Sequence, residues 1–415
     1  FDSIYGNDID AASVKITRLN MALKYNVPVA AIYEHITGQD YLTDYAEKDF
    51  QYIIGNPPWG YDFSEEEKSH LRTIYKSATG KNIESYDVFI EQALNHLTDN
   101  GHLAYVLPEA ILNVKAHTNI RKTILENCSI KNLVFLGNAF DGVQCPCIIL
   151  DLQCTRSPLS TVGMNVNTGT ASFTINIERT VSAEYFSFTT SDAEYNVLCK
   201  IRSMPNSAYL LDNADFALGI VTGNNKEYIS DIKNENNEMI LKGADICKYH
   251  ITRTNNYIVF KPENFQQAAP TEMYRSPEKL LYRFISSQLV FAYDDKQTLS
   301  LNSCNIVIPR LPGIKIKYVL AILNSRIAQF IYKKEFNSVK VLRSHIENIP
   351  IPTADASTQA EIIALTDKLI SGLQAAEAEK VYDELDLLVS KAFNLDSNEI
   401  EIINKAVEGD NKFLA

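Results

Sequence analysis

Residues 50–63 read FQYIIGNPPWGYDF, and they predict a strand that ends in a stiff polar loop. The apolar run stops at Gly55, and Asn56, two prolines and Trp59, the only tryptophan of the chain, follow it. Proline fixes its own φ and restricts the residue before it to extended conformations, so Asn56 and Pro57 are both held extended. Neither proline has an N–H group, so the loop presents two oxygen acceptors, the Asn56 side chain and the Pro57 carbonyl, beside an indole face. This combination suits a planar ligand that carries an NH2 group.

Strand-like and helix-like segments alternate on both sides of this loop. Residues 11–25 predict an amphipathic helix, capped by Asp10, whose apolar side carries Val14, Leu19, Ala22 and Leu23. Downstream, helix-like segments at 85–98 and 117–128 alternate with strand-like segments at 102–108, 130–137 and 146–153. The alternation predicts an α/β domain at residues 1–155 with a mainly parallel sheet. In such a sheet ligands bind beyond the carboxyl ends of the strands, which is where the NPPW loop lies.

The remaining sequence predicts three further segments. Residues 156–205 contain a β-hairpin and a linking helix. Residues 206–352 are rich in Asn, Tyr and short β-like runs, and they predict an α+β domain that ends near two prolines. Residues 353–415 predict an acidic helical tail. A chain of 415 residues is long enough for two or three such domains.

The charge of the chain is unevenly distributed. The net charge is −12, yet residues 241–350 carry 16 basic and 8 acidic side chains, and residues 351–415 carry 5 basic and 13 acidic ones. A basic middle region between acidic ones is a plausible electrostatic footprint for a polyanion. A solvated lysine-rich surface is the alternative interpretation.

Cysteine usage and hydropathy exclude other classes. The seven cysteines form no CxxC pair and do not cluster with histidines, so no metal site is predicted, and we expect reduced thiols in a cytoplasmic protein with several of them buried. No run of about 18 apolar residues occurs, so we expect no membrane partner. The sequence specifies no oligomeric state.

Residues 53–59 resemble the [DNS]PP[YFW] motif of amino-group DNA methyltransferases, whose NPP form is typical of N6-adenine enzymes. The resemblance implies that a flipped adenine stacks on Trp59 and that its amine donates to the Asn56 side chain and the Pro57 carbonyl. These hydrogen bonds localise the nitrogen lone pair, which then attacks the methyl group of S-adenosylmethionine. The resemblance gives Pro58 to the same substrate site, and Phe140, in NAFDGVQCPCIIL, to the other face of the adenine. A phenylalanine of the core is the alternative for Phe140.

Two upstream segments resemble cofactor motifs of the same gamma-class enzymes. IYGNDIDAASVKITRLNMAL implies that Asp8 binds the ribose hydroxyls of S-adenosylmethionine and that Ile9 packs on its adenine. TGQDYL implies that Asp40 accepts from the adenine amine and that Tyr41 flanks the ring. A helix cap at Asp8 and a plain turn at Asp40 are the alternatives.

The segment from LGIVTGNNKEYI to VLRSHIENIPIP resembles a TaqI-like target-recognition domain, which implies double-stranded DNA as the partner. The candidate DNA contacts are Arg253, Arg275, Arg283, Lys333, Lys334 and Arg343. Each of these side chains is alternatively a solvated surface charge.

One family element is missing from residues 1–415. The glycine-rich first motif, which cradles the methionine part of the cofactor, is expected just before Phe1, and no FxGxG-like turn is present. We therefore predict an incomplete Rossmann-like S-adenosylmethionine-dependent methyltransferase sheet, and weak or absent cofactor binding by this chain alone. The predicted function is N6-adenine DNA methylation in a restriction–modification system, and the chain resembles the modification half of a type IIG enzyme. The alternatives are a non-catalytic DNA-recognition subunit and methylation of cytosine N4 or of a protein glutamine.

Overall fold

The computed structural model describes residues 3–44, 49–142, 144–252, 254–336 and 338–410. The chain divides into two compact units, unit 1 at Phe1–Asp192 and unit 2 at Ala193–Ala415. The finer division that the sequence predicts, with boundaries at 155, 205 and 352, stays a prediction.

Unit 1 is built on a six-stranded sheet with the order β3–β4–β6–β5–β7–β8, and a separate parallel pair joins β1 to β2. Its helices and strands are β1 (Gly6–Asn7), α1 (Ala11–Tyr25), β2 (Ile36–Thr37), β3 (Phe50–Gly55), α2 (Glu65–Ile74), α3 (Ser85–Asn95), β4 (Leu97–Pro108), α4 (Thr118–Asn127), β5 (Cys128–Gly137), β6 (Cys147–Cys154), β7 (Met164–Asn167) and β8 (Ser172–Ile175).

The large sheet is mixed, so the prediction of a mainly parallel sheet is confirmed only in part: four strands run in one direction, and β6 and β8 run in the other. β3 pairs in parallel with β4, and β5 with β7, whereas β6 runs antiparallel to both β4 and β5. The cause is the short connection after β5, because a strand that follows its neighbour closely returns antiparallel to it. The predicted hairpin is confirmed as the antiparallel pair β7–β8, which extends this sheet.

Helix α1 forms as predicted but buries only part of its apolar side. Asp10 caps it, accepting a hydrogen bond from the Ser13 amide at 2.7 Å. Val14 is buried, whereas Leu19 is 52% and Leu23 79% exposed. The prediction that Leu19 and Leu23 belong to the buried side of the helix is therefore wrong. No described element of unit 1 covers that side.

Unit 2 begins with the linking helix and contains two four-stranded sheets, β10–β17–β14–β15 and β11–β13–β12–β16, and a short pair β9–β18. Its elements are α5 (Asp192–Arg202, which starts in unit 1), β9 (Ser207–Ala208), β10 (Ala214–Ala217), α6 (Asn225–Tyr228), β11 (Ile229–Ser230), β12 (Glu238–Leu241), β13 (Tyr257–Ile258), α7 (Thr271–Tyr274), β14 (Lys279–Arg283), β15 (Phe291–Asp294), β16 (Leu299–Ser300), β17 (Cys304–Pro309), α8 (Ile316–Asn324), α9 (Arg326–Ile331), α10 (Arg343–Glu347), β18 (Ile351–Pro352), α11 (Ala356–Ile370), α12 (Ala375–Ala392) and α13 (Ser397–Ala406).

The acidic tail packs against the rest of unit 2. Ile362, Val389 and Ile403, from α11, α12 and α13, share one hydrophobic core with Ile322 of α8 and Ile327 of α9. The chain is thus a mixed α/β protein with a central sheet and C-terminal helices, which confirms the predicted fold class. Of the helices that the described ranges contain, none has the length and apolar character needed to cross a lipid bilayer.

Candidate active site

The NPPW loop begins where β3 ends. The strand lies beside β4 in parallel register, with Gly55 opposite Tyr105. A Cβ atom added at Gly55 would come within 3.3 Å of the Tyr105 ring, so the absence of a side chain lets the strand end lie against that tyrosine. The sequence thus places the polar loop at the carboxyl end of a strand, where an open sheet leaves room for a ligand.

A cavity of about 470 Å3 lies beside this loop. Its wall is formed by the end of β1, the turn after β2, the loop and helix after β3, and Phe89 of α3. Seven predicted site residues line it, namely Asp8, Ile9, Asp40, Tyr41, Asn56, Pro57 and Pro58. Asn56 is exposed at the cavity wall, so its amide is accessible to a ligand.

The two aspartates at the cavity also hold local turns. Asp8 Oδ1 accepts from the Asp10 amide at 2.9 Å, and Asp40 Oδ1 accepts from the Leu42 amide at 2.9 Å. Each bond uses one carboxylate oxygen and fixes the orientation of the carboxyl group. The other carboxylate oxygen of Asp8 and of Asp40 has no hydrogen-bond partner among the described residues. Each aspartate can therefore hold its turn and still bind a ligand.

Trp59 and Phe140 contact each other next to the cavity rather than lining it. Their ring centroids are 5.5 Å apart and the ring planes are inclined by 76°, so the edge of one ring meets the face of the other. Trp59 is half-buried against the core of unit 1, and Phe140 is 41% exposed. The indole N–H is buried without a hydrogen-bond partner in the described part of the chain. In this arrangement the two rings do not form a parallel-sided slot.

Ser85 anchors the NPPW loop, and the sequence reasoning missed it. This fully buried residue opens α3, and its hydroxyl donates to the Pro58 carbonyl at 2.5 Å. The Tyr61 amide in turn donates to the Ser85 Oγ at 3.4 Å. The predicted helix over this stretch gave no signal for the contact, because the Pro58 carbonyl lies 27 residues away in the sequence.

A buried polar network follows Ser85 on the same helix. Tyr86 donates its hydroxyl hydrogen to His117 Nε2 at 2.7 Å, and His117 Nδ1 donates to Asp87 at 2.9 Å, with the tautomer assigned from these partners. All three side chains are at most 4% exposed. Burial raises the pKa of Asp87 to about 6, against the opposing effect of the His117 hydrogen bond. The network ties the first turn of α3 to the start of α4.

Further cavity residues come from the stretch after the loop. They were not predicted, and they are Tyr61, Phe63, Glu67, His70 and Leu71, with Phe89 from α3. Together with Asp8 and Asp40, Glu67 gives the wall three carboxylates, which suit hydroxyl, amine and cationic groups of a ligand. Within the described ranges no group of three His, Cys, Asp or Glu side chains is placed to hold a metal ion.

The predicted DNA contacts lie in unit 2, apart from Arg253, which falls outside the described residues. Each of the others contacts a neighbour: Arg275 pairs with Glu238, Arg283 donates to the Ile246 carbonyl, Lys333 pairs with Asp410, Lys334 with Glu194, and Arg343 with Glu347. Arg343 remains the most accessible, with 58% of its side chain exposed. Their role as DNA contacts stays a prediction.

Two family models match this chain. Residues 2–141, which include the cavity and the NPPW loop, match the Eco57I restriction-modification methylase model. Residues 238–351 match the TaqI-like C-terminal specificity domain.

Named relatives agree with these matches. The type II methyltransferase M.VspI of Vibrio sp. (strain 343) is 30% identical over 250 residues, which cover 59% of each chain. The putative type II restriction enzyme and methyltransferase RM.MjaORFECS2P of Methanocaldococcus jannaschii is 24% identical over 307 residues, which cover 69% of this chain and 25% of that protein. The chain therefore spans just over half of one relative and a quarter of the other.

A solved structure shows the same fold. The type IIL restriction-modification enzyme MmeI, determined in complex with DNA, superposes with a TM-score of 0.58 at 12% identity, over 97% of this chain and 65% of that one. The chain accordingly carries an Eco57I restriction-modification methylase domain at residues 2–141 and a TaqI-like C-terminal specificity domain at residues 238–351.

Proposed function

We propose that this chain is the catalytic and recognition part of a DNA methyltransferase of a restriction–modification system, which transfers a methyl group from S-adenosylmethionine to adenine N6. The observation that carries the proposal is that Asn56, Pro57 and Pro58 open into the same cavity as Asp8 and Asp40. An amine acceptor site and a carboxylate-lined cofactor site are then adjacent.

On the substrate side, Asn56 and the Pro57 carbonyl accept the two N–H groups of the adenine amine. The amine is a poor nucleophile while its lone pair is delocalised into the ring, and two acceptors localise that pair on the nitrogen. The base must first leave the duplex, because its amine is out of reach inside the stack. The rings of Trp59 and Phe140 then hold the two faces of the base. Positioning and preorganised dipoles supply the rate enhancement.

On the cofactor side, the cavity wall fits S-adenosylmethionine. Asp8 is oriented to accept from the ribose hydroxyls, Asp40 to accept from the adenine amine, and Ile9 and Tyr41 pack on the ring. The carboxylate-rich wall also favours a cation. When bound, the cofactor supplies an electrophilic methyl group on a sulfonium, and the methylated amine releases its proton to solvent.

Mass spectrometry of DNA tests this proposal directly. The natural-length protein that contains this chain is expressed in a host without DNA methylation, and the nucleosides are quantified. We expect N6-methyladenine at one sequence context. N4-methylcytosine would instead identify the cytosine alternative, and DNA binding without any modified base would favour the non-catalytic recognition subunit.

A further inference from the structure

Two short segments of unit 2, residues 284–286 and 339–341, form an antiparallel ribbon, here called the 285–340 ribbon. Ile285 and Lys340 are bridge partners, and backbone hydrogen bonds of 2.8 and 2.9 Å flank the bridge. Because directly opposed residues of an antiparallel pair project to the same face, Ile285 and Lys340 lie side by side. Both segments belong to the TaqI-like domain.

The ribbon exposes a large apolar side chain beside a cation. Ile285 is 67% and Val339 66% exposed, whereas Val341 is 1% exposed and belongs to the core of unit 2. Side chains alternate along a strand, so Val339 and Val341 lie on the face of the ribbon opposite to Ile285 and Lys340. The exposed pair on one face is therefore Ile285 and Lys340, an aliphatic and a cationic side chain that lie next to each other.

The charge around the ribbon favours a polyanion. Residues 283–288 (RFISSQ) and 338–345 (SVKVLRSH) contain three basic side chains and no acidic one, in a chain whose net charge is −12. Lys340 has no ion-pair partner in the part of the chain that the structure describes, unlike Arg343. A lysine of this kind suits a phosphate, and an aliphatic side chain suits a thymine methyl group or an unstacked base step.

The ribbon is held rigidly from beneath. Tyr332, which is fully buried, donates its hydroxyl hydrogen to the Ser338 carbonyl at 2.7 Å and lies 3.4 Å from the Ser286 carbonyl, so it contacts both segments. The Lys340 amide donates to Ser338 Oγ at 3.1 Å. A supported backbone of this kind holds exposed side chains in one position, as a recognition element requires.

We propose that the 285–340 ribbon is a DNA-reading element, in which Ile285 contacts base edges and Lys340 contacts a backbone phosphate. The inference rests on the proposed function, since it assumes that the protein binds duplex DNA. It adds a specific pair of contact residues to the recognition domain, neither of which the sequence singled out.

Selection from a random-sequence duplex library tests the assignment with the natural-length protein. The variants are Ile285→Ser and Lys340→Gln, and the matched controls are Ile232→Ser, at a residue 70% exposed, and Lys261→Gln, at an exposed lysine. We expect Lys340→Gln to weaken binding to all sequences alike and to lower the salt dependence by about one phosphate contact. We expect Ile285→Ser to weaken binding to the preferred sequence by about tenfold and to relax the preference at one or two positions. The controls should behave as wild type.

The outcomes separate this inference from the function it rests on. If wild type selects a sequence and both ribbon variants select it with the same affinity and salt dependence, the ribbon assignment is overturned while the methyltransferase proposal stands. If wild type binds no duplex, both are overturned. If DNA selection is unchanged while the Ile285→Ser variant loses a bound polypeptide, the surface belongs to a protein partner and the assignment is again overturned.

Discussion

Ser85 is the residue on which the position of the NPPW loop most directly depends. Its Oγ connects the Pro58 carbonyl to the Tyr61 amide, so it bridges both sides of Trp59. Asn56 and Pro57 precede this anchor by only a few residues, and a shift of the anchored carbonyl moves both acceptors. Ser85 is therefore a positioning residue in the proposed mechanism.

We expect Ser85→Ala to lower kcat for methyl transfer by about tenfold or more, with little change in the KM for DNA, because transition-state geometry is lost while binding surfaces remain. The free energy of unfolding should fall by about 0.5–1.5 kcal/mol, the usual net contribution of one hydrogen bond. Steady-state kinetics and thermal melting measure the two effects.

The control is Ser77→Ala, since the Ser77 hydroxyl is buried and has no partner among the described residues. Equal kinetics for the two variants would contradict the anchoring role.

Trp59 allows stacking to be separated from hydrogen bonding. The indole N–H has no partner in the described part of the chain, so Trp59→Phe removes no hydrogen bond from the structure and keeps an aromatic face. Trp59→Ala removes the face, and base–aromatic stacking contributes about 1–3 kcal/mol. We expect Trp59→Phe to retain most methylation and Trp59→Ala to lose about tenfold or more, with thermal melting to exclude unfolding. Equal activity of folded Trp59→Ala and wild type would contradict stacking.

At the scale of elements, the first turn of α3 contains a titratable network. The folded pKa of Asp87 is about 6, above the ordinary value of 3.8, and burial is the main cause. The folded protein therefore binds a proton more readily than the unfolded chain between about pH 4 and 6. The contribution of Asp87 to the free energy of unfolding is therefore fully present below about pH 4, and it is lost as the pH rises through 6.

We accordingly expect Asp87→Asn to gain stability relative to wild type as the pH is raised from about 4 to about 7, with a constant difference at higher pH. Urea unfolding at several pH values measures it. Val88→Ala, which removes no titratable group from the same helix, is the control, and its effect on stability should not vary with pH. A pH-independent difference for Asp87→Asn would refute the assigned titration.

The elements also show which parts of the structure are predictable from sequence. The strand before NPPW, the Asp10 cap and the β7–β8 hairpin depend on local signals, and all three form as expected. The insertion of β6 between β4 and β5 depends on pairing between distant segments, and no local pattern specifies it. The contact between Ser85 and the loop is likewise long-range, since 27 residues separate it from Pro58.

At the scale of the whole molecule, the sheet of unit 1 has an exposed outer strand. Tyr52 is 72% and Ile54 81% exposed on β3, and β1 and β2 pair separately from the large sheet. The predicted site residues come from both sheets: the predicted cofactor residues Asp8 and Asp40 lie near β1 and β2, and the predicted catalytic residue Asn56 follows β3. The proposed methyl transfer therefore requires that the two sheets keep these residues at one cavity.

We predict that residues 1–415 alone bind S-adenosylmethionine with a Kd weaker than micromolar, because no glycine-rich turn is present to hold its methionine part. Isothermal titration calorimetry measures the affinity, and S-adenosylhomocysteine serves as the comparison ligand. Fusing a glycine-rich strand and turn ahead of Phe1 should tighten binding. A micromolar Kd for residues 1–415 would show that the carboxylate-lined cavity is sufficient by itself.

The predicted DNA contacts of unit 2 show that a basic sequence does not by itself identify accessible cations. A basic stretch suggested Arg275, Arg283, Lys333, Lys334 and Arg343 as DNA contacts, yet each has an intramolecular partner. Sequence counts cannot distinguish such paired cations from accessible ones, because pairing depends on residues distant in the chain. Lys340 was counted among the basic residues of 241–350 but was not predicted as a DNA contact. The fold leaves its side chain exposed.

The central claim is that the Asn56 oxygen accepts from the reacting amine, and single-turnover methyl transfer by Asn56 variants tests it most directly. The natural-length protein is compared with Asn56→Ala and with Asn56→Asp, which keeps an acceptor oxygen. The account predicts a loss of about 10²–10³ in rate for Asn56→Ala, a smaller loss for Asn56→Asp, and unchanged DNA affinity in both. A wild-type transfer rate in folded, DNA-binding Asn56→Ala would contradict it.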